Sequence, residues 1–171
     1  MLLDPFLAPR EATATAALMS SRDAETREVR VGGRIGFGQT IATVKRPLFV
    51  RASVEETLRF DGSDHFVLGL RYYDWGAGVR LGRFELGARV GLHGFDLHFG
   101  RGGFAIGGLS PQALVSASVQ VGGARIALGV FTEQTWVWIG DRATERLAGA
   151  SLTLAWGGRA KGLPPFYRLA P

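Results

Sequence analysis

The sequence predicts an all-β protein, an eight-stranded antiparallel up-and-down transmembrane β-barrel with short turns at one end and a short C-terminal tail. From Val29 onward apolar and polar residues alternate with a period of two, as in strands with one apolar and one polar face. Two tight turns join strands whose opposing residues agree in character along both arms. Hairpin arms of about 16 residues exceed a usual globular strand and cover the roughly 9 to 11 residues of a tilted membrane crossing.

Composition excludes several classes of protein. The chain has 171 residues, enough for one domain, and its 25 Gly and 20% charged residues fit neither a disordered nor a collagen-like chain. It has no Cys, which excludes disulfide frameworks, thiolate zinc sites and Cys nucleophiles. The arginines behind the net charge of +5 are spread singly and accompany no nucleic-acid-binding motif, so we expect no nucleic acid partner. No run of about 18 apolar residues is present to form a transmembrane helix.

The first strand is predicted at residues 12–19. A closed bacterial barrel has an even number of strands, and only seven are found between Val29 and Trp156. Thr13 and Thr15 give this octet a weak alternation, although its alanines also suit a helix. The assignment makes residues 1–11 an N-terminal periplasmic segment. The first five residues, Met1 to Pro5, lack the basic start and apolar core of a secretory signal, so either the chain is a mature form with a start Met or the membrane interpretation is wrong.

The clearest strand covers Leu48 to Phe60. Its even positions are apolar except Glu56, and its odd positions after Phe49 are polar or charged. Lys45-Arg46-Pro47 predicts the short turn before it, and the segment from Asp61 to Asp64 predicts a connection at the opposite end.

The next hairpin turns at Gly82-Arg83, which sets Leu81 opposite Phe84 and Arg80 opposite Glu85. The same register sets Val79 against Leu86, Ala77 against Ala88 and Trp75 against Val90. Further from the turn both arms change parity, which predicts paired bulges near Tyr73-Asp74 and His93-Gly94, with Phe66 still opposite Phe99 and Leu68 opposite Leu97.

The last hairpin turns at Gly122-Gly123 and sets Val119 opposite Ile126 and Gln120 opposite Arg125. The segments 100–103 and 140–145 predict the remaining connections at the long-loop end, and the final strand ends at Trp156.

Volume decides which face points outward. The apolar face carries bulky residues while the polar face repeatedly carries Gly, and an eight-stranded barrel has little room inside. An Arg turned toward lipid would cost about 2 to 4 kcal/mol at the midplane. We therefore expect a polar network in the lumen, formed by Arg51, Glu55, Arg80, Glu85, Arg89, Arg125 and Glu133. We expect interfacial aromatic girdles outside, formed toward the long-loop end by Tyr72, Trp75, Phe95, Trp136 and Trp138 and toward the short-turn end by Phe84 and Trp156.

Over residues 12–156 this pattern resembles the small outer-membrane barrels of the OmpA-like and OmpX-like kind. The last strand, Gly149 to Trp156, looks like the C-terminal assembly signal of that family, with a Gly, alternating apolar positions and a terminal aromatic residue. The resemblance implies a bacterial outer-membrane location. The chain departs from it by an extended tail over residues 157–171, which we expect in the periplasm, either solvated or docked on the barrel or a partner.

The expected function is that of a structural anchor or interaction scaffold in the lipid bilayer, with a lumen plugged by side chains. The alternatives are a soluble β-barrel that binds a lipid or another apolar ligand, a narrow channel, and a lipid-modifying enzyme. His65, His93 and His98 lie near the long-loop end, but the His-x-Ser spacing of outer-membrane deacylases is absent. We expect these histidines to be solvated, and we predict no catalytic residues, no metal site and no cofactor.

Overall fold

The computed structural model describes residues 10–23, 27–45, 47–62, 65–100, 103–108, 110–139 and 144–157. These residues form strand segments that pair antiparallel throughout. The segments are β1 Arg10–Asp23, β2 Val29–Lys45, β3 Leu48–Asp61, β4 His65–Leu81, β5 Phe84–Gly100, β6 Gly103–Gly108, β7 Pro111–Val121, β8 Ala124–Ile139 and β9 Glu145–Gly157. In the described part of the chain, no helix has the length and apolar character needed to span a membrane.

The sheet closes on itself. β1 pairs with β2 on one side and with β9 on the other, from Glu11 opposite Gly157 to Asp23 opposite Glu145. β6 and β7 both lie between β5 and β8, so together they occupy one position of the ring. The ring therefore has the eight positions that the sequence predicts, and the strand expected at residues 12–19 is confirmed within β1. Among the strand segments that the structure describes, closure leaves no unpaired sheet edge.

The turns divide the barrel into two ends. At the short-turn end, Lys45 pairs with Leu48, Leu81 with Phe84 and Val121 with Ala124. The two-residue turns after Leu81 and Val121 begin with Gly82 and Gly122, whose φ angles are +61° and +58°. Glycine adopts this left-handed conformation without a steric penalty. The opposite, long-loop end holds the connections between β1 and β2, β3 and β4, β5 and β6, and β8 and β9.

Both predicted hairpin registers are confirmed. Arg80 pairs with Glu85 and Trp75 with Val90 across the first turn. The β7–β8 hairpin has the predicted register along its whole length, including Gln120 opposite Arg125.

The predicted change of parity also occurs. Inward residues of β4 are odd-numbered up to Gly69 and even-numbered from Asp74. Glu55 of β3 pairs with Tyr72 and Thr57 pairs with Gly69, so three steps along β4 oppose two along β3. The bulge lies between Gly69 and Tyr72, slightly before the predicted position. The β4–β5 register itself continues without a shift, with Phe66 opposite Phe99.

Small residues on the inner wall make room for larger ones. A Cβ atom added to Gly87 would lie 2.8 Å from Cζ of Phe49, a buried ring that reaches inward from β3. Glycine at this position lets the Phe49 ring lie against the backbone of β5, as the expected volume difference between the two faces requires.

Candidate functional site: the charged interior of the barrel

Glu85 is the centre of an ion-pair cluster at the short-turn end of the lumen. Its Oε2 lies 2.9 Å from Nη2 of Arg51 on β3 and 4.0 Å from Nε of Arg125 on β8, and its Oε1 accepts hydrogen bonds from Arg80 on β4. Ser118 on β7 donates a hydrogen bond of 3.1 Å to the same Oε2. One carboxylate thus connects the walls formed by four other strands. We call this group the Glu85 cluster.

Two features complete the Glu85 cluster. Arg125 also pairs with Glu11 of β1, Nη2 to Oε2, at 2.9 Å. The guanidinium of Arg51 lies 4.8 Å from the centre of the Phe49 ring, a cation–π distance. Arg51 and Arg125 are almost fully buried, whereas the Arg80 side chain is 19% exposed at the rim. The cluster therefore places several charged side chains inside the lumen next to the short turns.

A second ion pair crosses the middle of the lumen. Arg34 of β2 donates from Nη1 to Oε2 of Glu133 on β8 at 2.7 Å, and both side chains are buried. Glu133 also accepts hydrogen bonds of 3.3 Å from Gln112 and Thr135. The Arg34 guanidinium lies 4.6 Å from the centre of the Phe131 ring. This charge-assisted hydrogen bond links walls that share no backbone pairing.

An apolar cluster occupies the other part of this level. It consists of Ala17, Met19, Leu114, Phe131 and Leu147, all at most 7% exposed. Beside it lies a cavity of about 20 Å³, enough for about one water molecule. The cavity is lined by Thr15, Arg34, Gly36, Glu55, Thr57, Asp74, Arg89, Gln112, Leu114 and Ser151.

A third group lies at the long-loop end. Arg59 of β3 pairs with Asp61, Nη2 to Oδ2, at 2.9 Å and with Glu145 of β9, Nη2 to Oε2, at 2.5 Å. Nδ1 of His65 lies 3.3 Å from Oδ2 of Asp61. The His65 and His98 rings are stacked, with centroids 5.7 Å apart and planes inclined by 18°. We call these five residues the upper cluster.

The structure places the seven residues of the expected network as follows. Arg51, Glu85, Arg125 and Glu133 are buried in the interior. Arg80 is partly exposed at the short-turn rim, and Arg89 lies 3.7 Å from Asp74, Nη1 to Oδ2. Glu55 lines the central cavity.

Several interior residues were missed in the sequence. Arg59 and Arg34 stand on the polar faces of their strands, so their alternation could have identified them. Asp74 was concealed by the parity change in β4. Asp61 and Glu145 were expected in connections, whereas they are the end residues of β3 and β9 and point inward.

The histidines correct the sequence prediction. His65 is 4% exposed and His98 is fully buried, so neither is solvated as expected. Both face the interior because they follow the parity of β4 and β5 beyond the bulge level. The side chain of His93 lies outside the described part of the structure.

The expected aromatic girdles can be located in part. Trp75, Phe84, Trp136 and Trp156 are between 39% and 66% exposed on the outer surface. Phe84 and Trp156 lie at the short-turn end, and Trp136 pairs with Gly108 toward the long-loop end. Trp75 lies near the middle of β4, paired with Ala52 and stacked on Tyr73. The side chains of Tyr72, Phe95 and Trp138 lie outside the described part of the structure.

Comparisons with known proteins find similarity in structure. No protein-family model matches the sequence, and no curated protein matches it. Neisserial surface protein A is 14% identical, with a TM-score of 0.55 over 87% of this chain and 97% of its own. Ail, the attachment invasion locus protein of Yersinia pestis, is 13% identical, with a TM-score of 0.47 over 88% of this chain and 98% of its own. The first similarity supports the small-barrel fold; the assembly signal at residues 149–156 stays a prediction.

Proposed function

We propose that the chain is an integral outer-membrane β-barrel that acts as a structural anchor or interaction scaffold, with a lumen plugged by its own side chains. The observation that carries this proposal is the distribution of polar and apolar residues, which is the reverse of that in a soluble protein. The charged side chains of the three interior groups face inward, while large apolar side chains cover the outside. A closed barrel with an apolar outer band is the form in which β-structure crosses bacterial outer membranes.

The outer apolar surface is continuous around the ring. Every ring position contributes to it, with exposures such as 75% for Leu18, 74% for Val31, 63% for Val90 and 65% for Leu128. Soluble monomers rarely expose apolar patches larger than a few hundred Å². Insertion into a lipid bilayer would remove this apolar surface from contact with water.

Outward polar residues interrupt the apolar surface in places, including the neighbouring strands β2 and β3. Glu56 on β3 and Gln39 on β2 are exposed, and Glu56 pairs with Phe37 of the neighbouring strand. Outward carboxylates in such barrels cost less than Arg or Lys, and the cost falls toward the interfaces. The apolar surface is therefore locally weakened on this side of the barrel.

The plugged lumen is supported by the interior geometry. The Glu85 cluster, the Arg34–Glu133 pair and the upper cluster lie at successive levels, and each joins different walls. The central cavity has room for about one water molecule. Such an interior stabilises the barrel against opening and leaves little space for solutes.

The same geometry argues against two alternatives. A soluble carrier of apolar ligands needs an apolar interior, whereas the described interior carries buried Arg, Asp and Glu side chains. A lipid-modifying enzyme needs its catalytic groups within reach of lipid, whereas His65 and His98 point into the lumen. We therefore propose no catalytic role.

The first test is the solubility of the purified chain. We expect that it requires detergent and that folded and heat-denatured samples migrate differently on a gel. Far-UV circular dichroism should report β-structure in detergent micelles. A monodisperse monomer in buffer without detergent would refute the membrane proposal.

The second test is conductance in planar bilayers, which addresses the plugged lumen. We expect no stable channel activity from the unmodified barrel, because side chains fill the cross-section. Stable, voltage-independent single-channel steps would favour the narrow channel.

The tail, residues 158–171, lies outside the described part of the chain. We propose that it faces the periplasm and is free to contact a partner there.

A further inference from the structure

The upper cluster has the composition of a metal site. Donor atoms of His65, His98 and Glu145 lie within 4.8 Å of one another, and all three side chains are buried. Two imidazoles and one carboxylate are the protein ligands of His₂Glu zinc sites, which keep a fourth position open. We propose that these three residues bind a divalent first-row transition-metal ion, with zinc as the reference ion, at the long-loop end of the lumen.

The three ligands come from opposite walls. His65 begins β4 and His98 belongs to β5, two neighbouring strands, while Glu145 begins β9 on the far side of the ring. A bound ion would therefore cross-link walls that the sheet does not connect directly. The register places both residues at the same end of the barrel, where His98 pairs with Val67 and Glu145 pairs with Thr135.

The required adjustment is small. Ligand atoms in a tetrahedral zinc site, at about 2.0 to 2.1 Å from the ion, are about 3.3 Å apart. The donor atoms of His65, His98 and Glu145 lie within 4.8 Å of one another, so no pair would have to approach by more than about 1.5 Å. Rotation about side-chain torsions supplies such a displacement without a change in the strand pairing.

The surroundings fit a cation. Asp61 lies 3.3 Å from Nδ1 of His65, the position of a carboxylate that orients a metal-binding imidazole and leaves Nε2 for the ion. Asp61 and Glu145 bring two negative charges and Arg59 brings one positive charge, so the group is anionic when its imidazoles are neutral. Arg59 binds Oε2 of Glu145, so the ion would be coordinated through the other carboxylate oxygen, Oε1.

The test uses the full chain without a polyhistidine tag, refolded in detergent micelles and titrated with Zn²⁺ in competition with a chromophoric chelator. We expect one ion per chain. His65→Asn, His98→Asn and Glu145→Gln should each weaken binding by more than about 100-fold, beyond the loss typical of outer-shell changes. Asp61→Asn, a positioning change, should weaken it by about 10- to 100-fold.

The matched control is His93→Asn, which removes the remaining histidine of the chain. It should leave the affinity unchanged. Gel migration and circular dichroism identify variants that do not fold. Co²⁺ absorption of the unmodified protein provides a readout independent of any variant, because a nitrogen- and oxygen-coordinated tetrahedral ion absorbs far more strongly than the aqueous ion.

Each outcome of the titration either supports or overturns the proposed metal site. Stoichiometric binding that is lost in the three ligand variants and kept in His93→Asn supports the site. Absence of a stoichiometric site in the unmodified protein overturns it, as does binding that survives all three ligand changes or disappears in the control. The titration needs only the folded barrel, so its failure would leave the membrane and plug proposals untouched.

Discussion

Replacement of Glu85 by Gln tests the electrostatic role of the lumen, because the substitution keeps the side-chain shape and removes one charge. Three guanidinium groups converge on this carboxylate, and their situations differ. Arg80 is 19% exposed at the rim, and Arg125 retains Glu11 at 2.9 Å. Arg51, only 6% exposed and 2.9 Å from Glu85, loses the ion pair that compensates its burial.

The magnitude follows from these contacts. Removal of one partner from a buried ion pair costs about 3 to 5 kcal/mol. Since only Arg51 is stranded in a buried position, we expect the low end, about 3 kcal/mol in the free energy of unfolding. Urea titration of the barrel in micelles or vesicles, followed by the fluorescence of its four Trp residues, measures this loss.

The control is Glu28→Gln. Glu28 also pairs with an Arg, Arg30, at 2.8 Å, but it lies before β2 in an exposed connection. The hydrogen bond from Arg30 lowers the pKa of the Glu28 carboxyl, yet the pair is exposed to solvent and its loss should leave the unfolding midpoint nearly unchanged. Equal midpoints for the two variants would refute the claim that the Glu85 cluster is buried and stabilises the barrel.

Three further predictions concern packing and the lipid face. Val90→Arg, outward in the middle part of β5, should destabilise the vesicle-inserted barrel by about 2 to 4 kcal/mol, and unimpaired insertion would contradict a lipid-facing position. Gly87→Val should force the Phe49 ring aside and cost about 1 to 3 kcal/mol in urea titrations, with Phe49→Leu in the same chain restoring part of the loss. Leu114→Ala, in the interior apolar cluster, should cost about 2 to 5 kcal/mol; no change in the midpoint would mean that water already fills this level.

The sequence predicted the hairpins well because their information is local. A two-residue turn fixes which residues oppose each other, so Arg80 and Glu85 could be paired without any knowledge of the rest of the barrel. The first strand was harder to predict. Its Ala-rich sequence has little intrinsic preference for a strand, and it forms one between β2 and β9, where its backbone groups pair on both sides.

The interior partners could not be predicted in the same way. Alternation tells which residues point inward, but the partner of an inward residue depends on which strands face each other across the lumen. Glu85 was expected to pair with Arg80, its neighbour in the hairpin, whereas it also binds Arg51, 34 residues earlier. Arg59 and Glu145 are 86 residues apart and meet only when the barrel closes.

The three interior levels explain why the plug that we propose and a stable barrel would require the same residues. Along the walls, Arg125 lies opposite Ala155, Phe131 opposite Gly149 and Thr135 opposite Glu145, so the apolar cluster separates the Glu85 cluster from the upper cluster. A continuous chain of water molecules through the lumen would have to pass this apolar level and the Arg34–Glu133 pair beside it. Each group along this path also joins distant strands. An opening wide enough to conduct therefore removes the contacts that hold the walls together, which favours an anchor over a pore.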